Sequence, residues 1–205
     1  MERKETVSAE GLVKYFGSEP VLRNVSFSVE AGTICGIIGR NGSGKSVLFK
    51  CLTGLYIPDS GKVRIDRDSL GALIEEPGFL LHYPGLRNLV YLMEIGGKVR
   101  RDAAEEAIRL VGLDPGDRRP VRKYSMGMRQ RLGIAQAIME DPDILILDEP
   151  MNGLDNEGVR DMRELFISLK NKGKTLLIAS HSREDIEILC DKVYEMDKGR
   201  IALVR

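Results

Sequence analysis

Apolar and polar residues alternate through the early chain. Val25, Phe27 and Val29 are separated by Ser26, Ser28 and Glu30, the period of a strand with one buried face. Together with the segment Gly11–Phe16, this predicts an antiparallel β layer near the N-terminus. Ala31-Gly32 then turns the chain into Thr33-Ile34-Cys35-Gly36-Ile37-Ile38, an apolar run short enough for a buried strand, and Val47–Leu52 reads as the start of a helix. Pro58-Asp59-Ser60-Gly61 signals a turn before the alternating strand Lys62–Asp66.

The pattern changes between Pro77 and about Asp141. Strand signals vanish, and Asp102–Leu113 carries helical spacing through Ala103, Ala107, Leu110 and Val111. This stretch predicts an inserted helical subdomain. Alternation of β and α then returns. Ile144–Leu147 and Thr175–Ala179 read as buried strands, and Leu154–Lys170 and Ser182–Cys190 as helices, with Gly173 at a helix stop. Lys192–Met196 and Arg200–Val204 bracket the turn Asp197-Lys198-Gly199 as a closing hairpin. There is no internal repeat.

Gly39-Arg40-Asn41-Gly42-Ser43-Gly44-Lys45-Ser46 fits the phosphate-loop pattern G-x-x-x-x-G-K-[ST], between a predicted strand and a predicted helix as the pattern requires. Gly39, Gly42 and Gly44 permit backbone conformations that turn consecutive N–H groups toward one anion, and the helix start adds unpaired donors. Lys45 would neutralise the β- and γ-phosphates, and the Ser46 hydroxyl would ligate Mg²⁺. A glycine-rich turn that binds nothing is the plain alternative, and the flanking elements weigh against it. The fold class expected is α/β: a P-loop nucleotide-hydrolase core with a mainly parallel sheet, the antiparallel layer and the helical insert.

Ile144–Leu147 runs directly into Asp148-Glu149-Pro150. Ligands of parallel sheets bind beyond the carboxyl ends of their strands. Asp148 is therefore placed to hold Mg²⁺ as a Walker B aspartate, and Glu149 to act as general base on a water lined up on the γ-phosphate. Two adjacent acids at a strand end could be surface charge, a reading the phosphate loop makes much less attractive.

Composition narrows the setting. Basic and acidic residues number 31 each, so no net charge draws the chain to nucleic acid, and none is expected as a partner. Cys35, Cys51 and Cys190 lack metal-ligand spacing and read as buried thiols of a reducing compartment. No apolar run approaches the ~20 residues that span a bilayer. The charged start Met1-Glu2-Arg3-Lys4-Glu5 lacks a signal peptide's apolar stretch. A cytoplasmic protein is expected.

Taken together, these motifs resemble those of the nucleotide-binding subunits of ABC transporters, over essentially the whole chain. Tyr124-Ser125-Met126-Gly127-Met128-Arg129-Gln130-Arg131 stands at the family's signature, Asn152-Gly153-Leu154-Asp155 at its D-loop, and Ser180-His181 at its switch histidine. Phe16 stands where an aromatic residue stacks on adenine, with Tyr15 a weaker rival. The signature string and the Glu75-Glu76-Pro77-Gly78-Phe79 segment look like the bacitracin and lantibiotic self-protection exporters of bacteria.

The resemblance implies one ATP-binding unit over 1–205, with a core of 1–76 and 141–205 and a helical subdomain of about 77–140. It implies an ATPase using ATP and Mg²⁺, bound to the inner face of the cell membrane through transmembrane permease subunits. A second ATP-binding subunit, identical or related, would face it, each ATP lying between one phosphate loop and the partner's Ser125 and Gly127. Asp155 would contribute at that nucleotide, and His181 would sense the γ-phosphate, although a histidine after a strand is by default an ordinary loop residue. Two departures stand out. Met126 and Met128 replace a glycine and a glutamine, and Glu75 replaces the Q-loop glutamine. A carboxylate at 75 ligates Mg²⁺ more strongly than an amide but, while ionised, donates no hydrogen bond. His82 and the cluster Arg118, Arg119, Arg122 and Lys123 read as solvated surface. A soluble ATPase acting on ribosomes or DNA is the alternative, disfavoured by the single cassette and the absence of a heptad run or basic excess.

Overall fold

A computed structural model describes residues 5–97 and 99–205, so the charged N-terminal residues 1–4 lie outside the described residues. The predicted β layer is there. β1 (Glu5–Phe16) pairs antiparallel with both β2 (Glu19–Glu30) and β4 (Ser60–Ile65), giving the order β2-β1-β4.

A second, six-stranded sheet forms the centre of the core. Its order is β5-β6-β7-β3-β8-β9, built from β3 (Ile34–Ile38), β5 (Leu70–Leu73), β6 (Ile144–Asp148), β7 (Thr175–Ala179), β8 (Lys192–Asp197) and β9 (Arg200–Leu203). The first five strands of that order run parallel, and β9 closes the edge as an antiparallel hairpin with β8.

The all-apolar strands arise because both sheet faces are covered, the usual reason a parallel strand reads as a continuous apolar run. Ile144 and Ile146 face the antiparallel layer and α1 (Lys45–Thr53), packing with Leu48, Phe49, Val25 and Leu12. Leu145 and Leu147 face the other way, into a core shared with α2 (Gly85–Ile95), α3 (Arg101–Leu110), α4 (Met126–Ile138) and α5 (Asn156–Asn171). Between β5 and β6 the described residues hold only helices, a 3₁₀ turn at Val121–Lys123 and loops. The predicted helix over 102–113 is α3, shorter because Gly112 takes a left-handed φ of 75°. The seventh-strand helix is α6 (Arg183–Leu189).

Strand β5 was not legible from periodicity. It has only four residues, carries a glycine and shows no alternation. Gly71 is required there, since a Cβ at that position would lie 2.0 Å from the Ala137 carbonyl oxygen of α4. Among the described residues no helix is long and apolar enough to cross a membrane. The three cysteines are free and buried, and burial pushes the Cys35 and Cys190 thiols up to about 12.

Candidate active site

The loop between β3 and α1 is shaped by its glycines. A Cβ on Gly39 would lie 2.3 Å from the Met196 carbonyl oxygen, so the chain leaves β3 only by passing flush against β8. Gly44 caps α1 with φ 109° and no side-chain hydrogen bond, leaving the first-turn N–H groups for an outside acceptor. The β8–β9 turn supports the loop from behind, because Gly199 N donates to the Ser43 carbonyl oxygen at 3.0 Å.

Two side chains show what the loop awaits. Ser43 Oγ is buried with no hydrogen-bond partner among the described residues, a state that costs free energy until an acceptor or donor arrives. Lys45 is buried, and its Nζ donates to the carbonyl oxygens of Gly39 at 2.7 Å and Arg40 at 3.4 Å. Its charge is thus folded over the cradle, where an anion would find it. Replacing Gly39 by alanine is expected to cost about 1–3 kcal/mol of stability through overpacking and to weaken nucleotide binding. Urea unfolding and calorimetric titration check this, and unchanged values in both would contradict the close approach to Met196.

Asp148 ends β6, buried, and accepts the Ser46 hydroxyl at 2.5 Å. Burial raises its pKa above the ordinary carboxylate value, and the Ser46 hydrogen bond and the Lys45 charge only partly oppose this. Such a hydroxyl–carboxylate pair suits a hard divalent cation, which takes one or two carboxylates along with phosphate oxygens.

Glu149 follows with a left-handed φ of 49°, a conformation unusual for a residue with a Cβ. Its N–H donates to the Ala179 carbonyl at 2.9 Å, tying the ends of β6 and β7 together. Its own carbonyl accepts from Gln130 Nε2 at 3.1 Å. The bend swings its carboxylate to His181, whose Nδ1 lies 2.8 Å from Oε2. The imidazole itself is mostly exposed.

A cavity of about 590 Å³ joins these elements. It is lined by the loop from Asn41 to Val47, by Asp148 and Glu149, by Glu75–Pro77, and by Met126, Arg129 and Gln130 of α4. Val21 also lines it, and Val21, Arg129 and Gln130 carry no role of their own in the sequence analysis. Gln130 carries a signal only in its spacing from Ser125. Glu75 is at the cavity, also with a left-handed φ of 60°, and accepts a hydrogen bond from Lys50 Nζ at 2.6 Å.

Other expected residues stand apart from the cavity. Phe16 is half-exposed with its ring edge against Tyr56, centroids 5.3 Å apart, and Tyr15 is equally exposed. Ser125 is the N-cap of α4, its Oγ accepting from Met128 N at 3.1 Å, which leaves the O–H free to donate elsewhere. Gly127 faces the Asn152–Asp155 loop, where a Cβ would come within 2.9 Å of the Gly153 carbonyl oxygen. Asp155 caps α5, accepting from Gly158 N at 2.8 Å.

The ABC transporter family model matches residues 22–152, well over half of the chain. The chain belongs to the ATP-binding proteins of ABC transporters. This cassette is 37% identical to the bacitracin transport ATP-binding protein of Enterococcus faecalis, over 95% of this chain and 67% of that protein. It is likewise 37% identical to the lantibiotic transport ATP-binding protein of Streptococcus pyogenes, over 95% of this chain and 88% of the relative. Among solved structures it resembles the ADP conformation of an ABC transporter cassette, with 27% identity and a TM-score of 0.84 over 97% of this chain and 90% of that one. Membership makes the cassette an ATPase subunit of a transporter.

Proposed function

We propose that the cassette, one unit over residues 1–205 with a core of 1–76 and 141–205 and a helical subdomain of about 77–140, hydrolyses ATP to drive export through transmembrane permease subunits. The observation that carries this reading is the convergence of Ser46, Asp148, Glu149 and His181 at the strand ends beside the loop. The relatives' roles in bacitracin and lantibiotic transport support a peptide antibiotic as cargo.

In this reading the phosphates of ATP lie on the N–H groups from Arg40 to Ser46, with Lys45 turning from its own loop carbonyls to the phosphate oxygens and Ser43 Oγ gaining its missing partner. Ser46, Asp148 and Glu75 would hold Mg²⁺, which neutralises charge on the β- and γ-phosphates when bound. Glu149 takes the proton of the attacking water, while His181 holds its carboxylate in place. Ser125 and Gly127 of a second, facing cassette complete the site, the free Ser125 O–H donating to the γ-phosphate there. Asp155, at the head of α5, lies on the same facing surface, and Phe16 receives the adenine.

The groove beside Glu75 and the helical insert, where Leu80, Leu81 and Tyr83 are exposed, receives the permease on the cytoplasmic side of the membrane. Co-expression with a multi-span membrane protein encoded beside this chain tests the reading. The cassette should sediment with membranes only when that partner is present, and its phosphate release should require Mg²⁺. Sedimentation with ribosomes instead would sink it.

Glu75→Gln should raise the Mg²⁺ concentration needed for half-maximal turnover while keeping substantial activity, because an amide oxygen still ligates the cation, though more weakly. Complete loss of turnover with the fold intact, seen by circular dichroism, would show that the carboxylate has another task.

A further inference from the structure

Lys50 lies in the last turn of α1, on the helix that the phosphate loop begins. Its Nζ sits 5.3 Å from the ring centroid of Tyr56, within cation–π range, and donates to Glu75 Oε1 at 2.6 Å. Tyr56 is itself fixed to the helix end, since its N–H donates to the Lys50 carbonyl oxygen at 2.9 Å. The two partners are unequally held. The Lys50 side chain is 18% exposed and the Glu75 side chain 60%, so the ammonium is the anchored member and the carboxylate the free one.

A neutral amide at position 75 would need no counter-ion. A carboxylate there adds negative charge at a corner of the cavity that already holds Asp148. The glutamate at the Q-loop position and the lysine on the loop helix thus form one electrostatic unit beside the expected cation.

We propose that Lys50 is a positioning residue for Glu75: seated on Tyr56, it parks the carboxylate at the rim of the phosphate cavity, and Glu75 exchanges this partner for the divalent cation that accompanies the nucleotide. The proposal rests on the reading of Glu75 as a metal ligand. Cation binding then includes the cost of separating the ion pair, so removing the lysine charge should tighten the cation, and only when residue 75 is a carboxylate. A lysine that served the fold alone would give no such dependence.

The test is a titration of the full chain with Mn²⁺ in saturating ADP, with free Mn²⁺ read by electron paramagnetic resonance. Lys50→Met keeps the aliphatic stem over Tyr56 and should tighten Mn²⁺ about three- to five-fold, the size expected of a partly exposed ion pair. In a Glu75→Gln background the same change should shift Mn²⁺ affinity by less than about 1.5-fold, as an exposed pair already removed predicts. Lys50→Arg should stay near the parent. Equal tightening in both backgrounds, or none in either, overturns the proposal alone. Equal Mn²⁺ affinity in Lys50→Met and in Lys50→Met with Glu75→Gln overturns it together with the metal-ligand role of Glu75.

Discussion

Glu149→Gln is expected to bind ATP like the parent and hydrolyse it about 10² to 10⁴ times more slowly, the usual contribution of a positioned general base. The amide fills the same space and can still meet His181 Nδ1, which lies 2.8 Å from the carboxylate. It cannot accept the proton of the attacking water. In the proposed reading the substitution would also remove a negative charge beside the γ-phosphate, so the state with two cassettes closed on ATP should persist. On size-exclusion chromatography the variant should run as a dimer with ATP and not with ADP. Adding Ser125→Arg should abolish that dimer while leaving ATP binding intact. Ser125 is exposed at the head of α4, so in the proposed dimer an arginine there would reach toward the facing cassette's phosphates without disturbing its own loop. Hydrolysis at the parent rate in Glu149→Gln would remove Glu149 as the base. A monomer with ATP at high protein concentration would point to weakened closure through Met126 and Met128, or to a different chain as the true partner.

Lys45→Ala is expected to abolish measurable ATP binding. The side chain is a buried positive charge at the loop, and in the proposed reading it faces the β- and γ-phosphates, where a preorganised charge stabilises them more than one in water would. The structure adds a second loss. Lys45 Nζ holds the Gly39 and Arg40 carbonyls in line, so alanine also frees the loop backbone that presents the N–H donors. Calorimetry with ATP in the presence and absence of Mg²⁺ measures the effect, and thermal unfolding separates it from loss of fold. Affinity within a few-fold of the parent would overturn the phosphate-loop assignment.

Elements with strong periodicity or complete motifs were legible in advance. The β layer, the phosphate loop between β3 and α1, the acid pair at the end of β6 and the closing hairpin all stand where the residue pattern places them. Their signals are local, carried by side-chain alternation or by glycines at set spacing. Strand β5 left no such trace, because its pairing with β6 alone and the packing of α4 on Gly71 are contacts between distant segments.

Residue type and spacing alone supplied the candidate chemistry: a loop of the phosphate-binding pattern, a hydroxyl and a carboxylate suited to a cation, an acid expected to serve as base, and a glutamate in place of an amide at position 75. How these groups are held follows from the fold. Gly199 braces the loop at Ser43, Gly127 seats the signature helix against Gly153, and Gln130 ties that helix to Glu149. It also showed that Glu75 is partnered, with Lys50 on the loop's own helix. The reason is physical: residue type and spacing specify what a group can donate, accept or ligate, whereas its partner is set by long-range packing that brings separate elements within a few ångströms of one another.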